Sequence, residues 1–155
     1  MSNDIEKRLQ DLGIELPAAA APAANYVPWT IYGNQLFISG QLPIGPNGIE
    51  VLGHLGNDVS LEMGQIAAQR CAVNLLAQAK AALDGDLSRI KGCVRIGVFV
   101  SSTAGFHDHH LVANGASDLI AAALGNIASH TRAAVGVASL PLNAAVEADA
   151  IFAID

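Results

Sequence analysis

Charged residues are scarce in this chain of 155 residues. Asp, Glu, Lys and Arg together make up 14% of it, whereas hydrophobic residues make up 52%. A monomeric domain usually contains more charge than this, because charged side chains cover its surface. Contact between subunits buries part of the surface that charged side chains would otherwise cover, so the composition favours an oligomer. The length suits one domain with a hydrophobic core of its own.

Positive charge is especially sparse. Eight Lys and Arg residues stand against 14 Asp and Glu residues, which gives a net charge of −6, and the basic residues are scattered along the chain. A protein that binds DNA or RNA normally has a basic patch that contacts the phosphates. The sequence therefore predicts no nucleic-acid partner.

Long apolar runs and closely paired cysteines are also missing. No uninterrupted apolar stretch reaches the roughly 20 residues that cross a bilayer, and residues 3–11 are too polar for the core of a signal peptide. The two cysteines, Cys71 and Cys93, form no Cys-x-x-Cys motif and are expected to be buried, reduced thiols. These features predict a soluble, cytoplasmic protein without a membrane partner.

The spacing of the hydrophobic residues predicts a leading helix and then seven elements in the order ββαβαββ. Residues 1–24 are interpreted as this helix with an Ala/Pro-rich arm, and residues 25–155 as one domain. Gly33-Asn34 suits the turn of a β-hairpin, and Ser60 suits a helix N-terminus. The predicted strands are 29–32, 35–39, 91–100, 132–139 and 145–154, and the predicted helices are 3–12, 60–83 and 111–124.

This order predicts an α+β fold in which two helices pack on one face of a single mixed sheet. A stripe of Ala and Leu side chains at helical spacing, from Ala68 to Leu83, would face the sheet. The other face then needs cover, which a partner subunit could supply. Residues 40–48 are rich in Gly and Pro and are predicted to form a loop.

Arg132 and Glu147 are the residues whose positions suggest chemistry. Arg132 opens a strand of chiefly Ala, Val and Gly, and Glu147 lies fifteen residues later. A guanidinium suits a carboxylate because its planar fork donates two parallel hydrogen bonds. Either Arg132 binds a ligand carboxylate, or it forms a structural ion pair with Asp118 or Glu147. On adjacent antiparallel strands Arg132 and Glu147 could meet, and Glu147 could orient water or transfer a proton.

The segment His107-Asp-His-His110 has the composition of a metal-binding cluster. Its spacing is loose, and no second set of ligands is obvious elsewhere in the chain. A solvated loop is the favoured interpretation, so the sequence predicts no metal site.

Four segments together resemble the RidA family, also known as the YjgF/YER057c/UK114 family and historically as endoribonuclease L-PSP. They are Gly33–Pro43 with its Ser39-Gly-Gln-Leu-Pro43 motif, the strand ending in Val98-Phe-Val, Thr131–Pro141 with Arg132 and Leu140-Pro141, and Val146–Ile151 with Glu147. The resemblance runs from about Tyr26 to the C-terminus. It implies a chorismate-mutase-like α+β fold, a homotrimer with sites between neighbouring subunits, and no cofactor.

The resemblance also implies a reaction and roles for individual residues. The reaction is hydrolysis of reactive 2-imino or enamine acids, released by pyridoxal-phosphate enzymes, to 2-keto acids and ammonia. Arg132 matches the arginine that holds the substrate carboxylate, and Glu147 matches the glutamate that orients the attacking water. The residues matched to the substrate cleft are Tyr26, Ser39, Gly40 and Asn114.

Two positions depart from the family pattern. Ala134 stands where a cysteine is frequent, so thiol chemistry is not expected at the site, and Gly136 stands where an acidic residue is common. These departures fit a second hypothesis, in which the chain binds a small carboxylate or keto acid without converting it. A third hypothesis, ribonuclease activity, is disfavoured by the acidic net charge. The leading helix and the segment Asn114–Asp118 suggest a longer branch of the family.

Overall fold

The computed structural model describes residues 4–155, which form three helices, one large sheet and a small hairpin. The helices are α1 (Asp4–Asp11), α2 (Leu61–Ala82) and α3 (His109–Leu124). The strands are β1 (Trp29–Tyr32), β2 (Gln35–Gln41), β3 (Ile44–Gly45), β4 (Gly48–Ile49), β5 (Ile90–Ser101), β6 (Thr131–Val137) and β7 (Val146–Ile154). The predicted elements are confirmed, except that residue 3 of the predicted first helix lies outside the described residues.

Five strands form one sheet in the order β1-β2-β7-β5-β6. Neighbouring strands are antiparallel except β5 and β6, which are parallel, so the sheet is mixed as predicted. A parallel pair needs a long crossover, and α3 provides it between β5 and β6. The final strand, β7, lies in the centre of the sheet, which leaves β1 and β6 at its two edges.

The prediction of a loop at residues 40–48 is wrong in two respects. β2 continues to Gln41, and β3 and β4 form a short hairpin in which Gly45 pairs with Gly48. The chain leaves the turn at Gly48, whose φ of 100° suits glycine. Strands of two residues carry no detectable alternation, so the hydrophobic pattern could not predict them.

Both long helices pack on the same face of the large sheet and bury the core there. The Oγ of Ser60 accepts a hydrogen bond from the backbone N–H of Met63 at 3.2 Å, which starts α2 as predicted. The predicted stripe is buried, with Ala68, Ala72, Leu75, Leu76, Ala79 and Leu83 at most 1% exposed. Cys71 and Cys93 are buried and free, as predicted. Within residues 4–155, no helix has both the length and the apolar character needed to cross a membrane.

Within residues 4–155, no helix covers the opposite face of the sheet. Along β7, Val146 and Ala148 are fully buried on the helix side, whereas Glu147 and Asp149, which alternate with them, are partly exposed on the other side. Alternation of this kind is expected for a strand with one covered face. Glu147 therefore lies on the open face of the sheet.

The N-terminal segment packs against the outside of the helices. Ile5 and Leu9 in α1 are 4% and 3% exposed and belong to the hydrophobic core. The guanidinium of Arg8 reaches the carbonyl oxygens of Ala123 and Leu124 at the end of α3, both at 3.5 Å. The division of the chain at residue 24 stays a prediction.

Candidate substrate site

Arg132 lies at the start of the edge strand β6, and its side chain points towards α3 on the helix-covered face. Its Nη1 donates to the Oδ1 of Asn114 at 2.9 Å and to the Oγ of Ser117 at 3.1 Å. Its Nη2 donates to the carbonyl oxygen of His110 at 3.1 Å. Residues three apart lie on one face of a helix, so α3 presents Asn114 and Ser117 together. The structure thus brings Arg132 and Asn114 into direct contact.

None of these three acceptors carries a charge. Among residues 4–155, no carboxylate oxygen lies within the 4.0 Å of an ion pair with Arg132. The alternative of a structural ion pair with Asp118 or Glu147 is therefore not what the structure contains. A guanidinium has five N–H donors. Three of them are used, and donors on Nε and Nη2 remain available to a ligand.

His130 extends this group of hydrogen bonds. Its Nδ1 lies 2.7 Å from the carbonyl oxygen of Ala128, and its Nε2 lies 2.9 Å from the Oγ of Ser117. The carbonyl oxygen can only accept, so Nδ1 carries a proton. In the neutral ring Nε2 is then an acceptor, and it receives the hydroxyl hydrogen of Ser117.

Ser117 and His130 were not singled out by the sequence pattern. The available signal is spacing: Ser117 follows Asn114 by three residues on a helix, and His130 precedes Arg132 by two, the repeat of an extended strand. Neither spacing indicates that the two segments meet. We call Arg132, Asn114, Ser117 and His130 the arginine half-site.

Glu147 lies beside Gly40 on the open face of the sheet. A β-bulge in β2 between Ile38 and Gln41 changes the pairing with β7 and places Gly40 against Glu147. A side chain at Gly40 would collide with the Glu147 carboxylate. Glycine at this position therefore leaves room for the carboxylate directly above the backbone.

Ser39 connects the bulge to the segment that carries Tyr26. The Ser39 hydroxyl donates to the carbonyl oxygen of Val27 at 2.7 Å, and its backbone N–H donates to the carbonyl oxygen of Pro28 at 2.9 Å. Tyr26 itself is 48% exposed. We call Tyr26, Ser39, Gly40 and Glu147 the glutamate half-site.

The electrostatics of Glu147 differ from those of a surface glutamate. Burial raises its pKa, and the carboxylate of Asp149 on the same face raises it further. Burial also raises the pKa of Asp149, although the Arg95 guanidinium, 3.6 Å away, acts in the opposite direction. In the described part of the chain, no Lys, Arg or His forms an ion pair with Glu147. Glu147 is therefore a carboxylate that holds a proton more readily than usual.

The two half-sites are separate within one chain. Arg132 and Glu147 do not occupy adjacent antiparallel strands, because β5 lies between β6 and β7. Two strand spacings amount to about 10 Å, and the two side chains point to opposite faces of the sheet. The strand order thus corrects the prediction that Arg132 and Glu147 could meet on adjacent strands of one chain. Tyr26 and Arg132 likewise belong to opposite edges.

The histidine segment does not converge on one point. His107 and His110 are exposed, and the Nε2 of His109 lies 3.0 Å from the Oγ of Ser102. The His109 ring also meets the Phe106 ring edge to face, with centroids 5.2 Å apart. In residues 4–155, no group of three or more His, Cys, Asp or Glu is placed to hold a metal ion.

The two departures from the family pattern have structural counterparts. A side chain at Gly136 would collide with the His109 imidazole and would come within 2.8 Å of the Ser102 hydroxyl. The His109–Ser102 pair therefore occupies the space that an acidic side chain would need. Ala134, between Arg132 and Gly136 on the same face of β6, packs against the hydrophobic core.

Three cavities lie away from Arg132 and Glu147. They have volumes of about 880, 540 and 570 Å³ and border the N-terminal segment and the outer surface of α2. None is lined by Arg132 or Glu147. These three cavities are therefore separate from both half-sites.

Comparison with known proteins identifies the family. The family model described as "YjgF/chorismate_mutase-like, putative endoribonuclease" matches residues 6–153. The chain therefore belongs to the YjgF/chorismate mutase-like family, which confirms the resemblance seen in the sequence.

Two relatives are similar over almost the whole chain. Protein TCP17 of Trypanosoma cruzi is 50% identical over 151 residues, which are 97% of this chain and 94% of that protein. The crystal structure of Atu1372 from Agrobacterium tumefaciens is 55% identical, covers 99% of this chain and 94% of its own, and has a TM-score of 0.93. The crystal structure of E. coli TdcF with bound serine is 21% identical, covers 88% and 94%, and has a TM-score of 0.63. At that identity TdcF shows the common fold alone, and the predicted chorismate-mutase-like fold is confirmed.

Proposed function

We propose that this protein hydrolyses 2-imino acids and their enamine tautomers to 2-keto acids and ammonia. The observation that carries the proposal is the charge of Arg132, which is held by neutral acceptors and is not compensated within the described chain. A substrate carboxylate would supply the missing negative charge. The family to which the chain belongs, and the serine bound to TdcF, support a small ligand with a carboxylate.

The reaction needs a water molecule positioned at the C=N carbon. Water adds to C2 of the imino acid, one of its protons moves to the nitrogen, and the resulting carbinolamine collapses to the keto acid and ammonia. Glu147 orients the water and accepts its proton in the first step, then returns the proton as the amine leaves. Its raised pKa suits both directions of transfer. Since free imines hydrolyse in water, positioning supplies much of the acceleration.

The complete site is proposed to form between copies of the chain. One copy contributes the arginine half-site and its neighbour contributes the glutamate half-site, because the strand order keeps the two apart in a single chain. The partly exposed face of the sheet around Glu147 provides a surface for the neighbour. A homotrimer, the assembly implied by the family resemblance, would contain three such sites. The cytoplasmic location stays a prediction.

The test uses 2-iminobutyrate generated by a threonine dehydratase and trapped with semicarbazide. The protein is expected to lower the amount trapped and to raise 2-oxobutyrate in parallel, whereas Arg132→Ala should lose most of this effect. Arg70→Ala is a matched control. Arg70 forms an ion pair with Glu50 at 3.1 Å, and this pair lies outside both half-sites. If trapping is unchanged at every ratio of protein to dehydratase, this substrate is not hydrolysed.

A second candidate is a binding module for a small carboxylate or keto acid. The preformed hydrogen bonds around Arg132 and the alanine at position 134 favour it. A thermal shift with 2-oxobutyrate that disappears in Arg132→Ala, without turnover of any imine, would select this candidate. The ribonuclease named in the family description is the weaker alternative at a net charge of −6. RNA cleavage that co-purifies with the protein and is lost in Arg132→Ala would reinstate it.

A further inference from the structure

We infer that Ser117 and His130 are positioning residues that hold the Arg132 guanidinium in one orientation for a planar carboxylate. The inference rests on the proposed function, because it concerns the carboxylate-binding arginine of that site. It assigns roles to two side chains that neither the motifs nor the family resemblance indicated. The hydrogen bonds of the arginine half-site carry it.

The direction of each hydrogen bond in this group is determined by its partners. The carbonyl oxygen of Ala128 must accept, so His130 donates from Nδ1. Nε2 of the neutral ring then accepts from the Ser117 hydroxyl. That hydroxyl has its hydrogen engaged, so its oxygen is free to accept from Nη1 of Arg132 at 3.1 Å.

In this series of hydrogen bonds the Ser117 oxygen can only accept from Arg132, because the Ser117 hydrogen is donated to His130. Without His130, the Ser117 hydroxyl could rotate and point its hydrogen towards the guanidinium. Asn114 fixes the same nitrogen from a second direction at 2.9 Å. Both hydrogens of Nη1 are therefore used within the chain, and one hydrogen of Nη2 is used by the carbonyl oxygen of His110. The Nε hydrogen and the second hydrogen of Nη2 are left to receive the ligand.

Positioning matters here because arginine has a long and flexible side chain. Arg132 lies on an edge strand, and a mobile guanidinium would lose conformational freedom each time a ligand bound. A guanidinium that is already ordered binds more tightly, because that cost does not fall on the binding step. The geometry also favours a planar carboxylate, which can accept from two neighbouring nitrogens.

The first test compares Ser117→Ala and His130→Phe with wild-type protein. Loss of a hydrogen bond to a charged group predicts a Kd for 2-oxobutyrate about tenfold higher. The KM for 2-iminobutyrate should rise in parallel while kcat changes little, since the carboxylate is held equally before and during reaction. Ser117→Thr keeps a hydroxyl, and His130→Gln keeps a hydrogen-bond acceptor. Both variants should therefore retain most of the affinity that Ser117→Ala and His130→Phe lose.

Ser102→Ala is the matched control. It removes another serine–histidine hydrogen bond of 3.0 Å, at the opposite end of β6 from Arg132. It should alter thermal stability without raising the Kd or KM. Equal losses in Ser102→Ala and Ser117→Ala would mean that Ser117 is merely structural, and the inference would be overturned.

The second test is independent of catalysis. In nitrogen-15 NMR spectra recorded in alkaline buffer, His130 should be protonated at Nδ1 and unprotonated at Nε2. In neutral buffer at low temperature, where exchange with water is slower, the Nε–H signal of Arg132 should be sharp in wild-type protein and should broaden in Ser117→Ala. A His130 ring protonated at Nε2, or an unchanged Arg132 signal, would overturn the inference even if imine hydrolysis is confirmed. The expected spectra without turnover would support the positioning and reject only the proposed reaction.

Discussion

Glu147 lies at a position that disfavours the charged form of its carboxyl group. Burial and Asp149 raise its pKa from a usual value of 4.5. A group whose pKa is raised in the folded protein contributes most to stability below its usual pKa. That contribution is lost as the pH rises through the pKa of the folded state. Glu147→Gln removes the charge and should therefore increase the free energy of unfolding at neutral pH, with no gain below about pH 4.

The same substitution should reduce activity, because glutamine cannot accept a proton from water. A loss of about a hundredfold in kcat is typical for a group of this kind. Glu15→Gln is a suitable control, since Glu15 is exposed and remote from both half-sites. Urea denaturation across a pH series measures the change in the free energy of unfolding of Glu147→Gln. An equal gain at low and neutral pH would contradict the predicted stabilisation.

Gly136 is expected to tolerate no side chain while His109 and Ser102 are in place. Gly136→Ala should lower the free energy of unfolding by about 1–3 kcal/mol, because the new methyl group meets the imidazole. In a His109→Ala background the same change should cost much less. Thermal denaturation of the two single variants and the double variant measures this coupling, and simple additivity would show that His109 is not the obstacle.

At the scale of elements, the approach of α2 to α3 depends on Gly115. A Cβ there would collide with the backbone of Gln65, and backbone atoms cannot rotate away as a side chain can. Gly115→Ala should therefore destabilise the protein by about 2–4 kcal/mol. Gly105→Ala is the control, because nothing lies within 4 Å of its Cβ position. Similar melting temperatures for the two variants would refute the close crossing.

The contribution of α1 can be measured with two leucines of similar sequence context. Leu9 is 3% exposed in the core, whereas Leu12 just after the helix is 49% exposed. Leu9→Ala should cost about 2–4 kcal/mol of unfolding free energy, and Leu12→Ala less than about 1 kcal/mol. Chemical denaturation compares them. A small cost for both would mean that the N-terminal segment is separable from the rest of the fold, as the division at residue 24 implies.

At the scale of the whole molecule, the proposed site between copies makes a prediction about mixed assemblies. Arg132→Ala and Glu147→Gln, each with little activity alone, should recover activity when they are co-expressed and assembled together. In a cyclic assembly with random mixing, about one site in four would combine an intact Arg132 with an intact Glu147 of the neighbour. Activity of tagged, co-purified hetero-oligomers measures this.

Co-expression of the two variants gives a different result if the half-sites of different copies do not combine. When one chain supplies both groups, no mixed assembly contains an intact site, and activity stays at the level of the single variants. Light scattering after size-exclusion chromatography should meanwhile give three times the chain mass of 15.9 kDa. A monomer with full activity would contradict the proposed assembly.

The sequence by itself determined the local elements, because their signals lie within a few residues. Helical spacing from Ala68 to Leu83 predicted the buried stripe of α2, and Gly33-Asn34 predicted the hairpin that pairs Tyr32 with Gln35. The motifs around Arg132 and Glu147 were enough to indicate the family. Short-range spacing could therefore predict the order ββαβαββ and the fold class.

Only the tertiary structure decided how these elements combine. The insertion of β7 between β2 and β5 depends on pairing between distant strands, for which no local pattern exists. That pairing places Arg132 and Glu147 on opposite faces of the sheet and separates the two half-sites. Ser117 and His130 were missed for the same reason, since their contact joins a helix to the start of a strand. Spacing along a chain determines which face of its own element a residue occupies, whereas packing determines what that face meets.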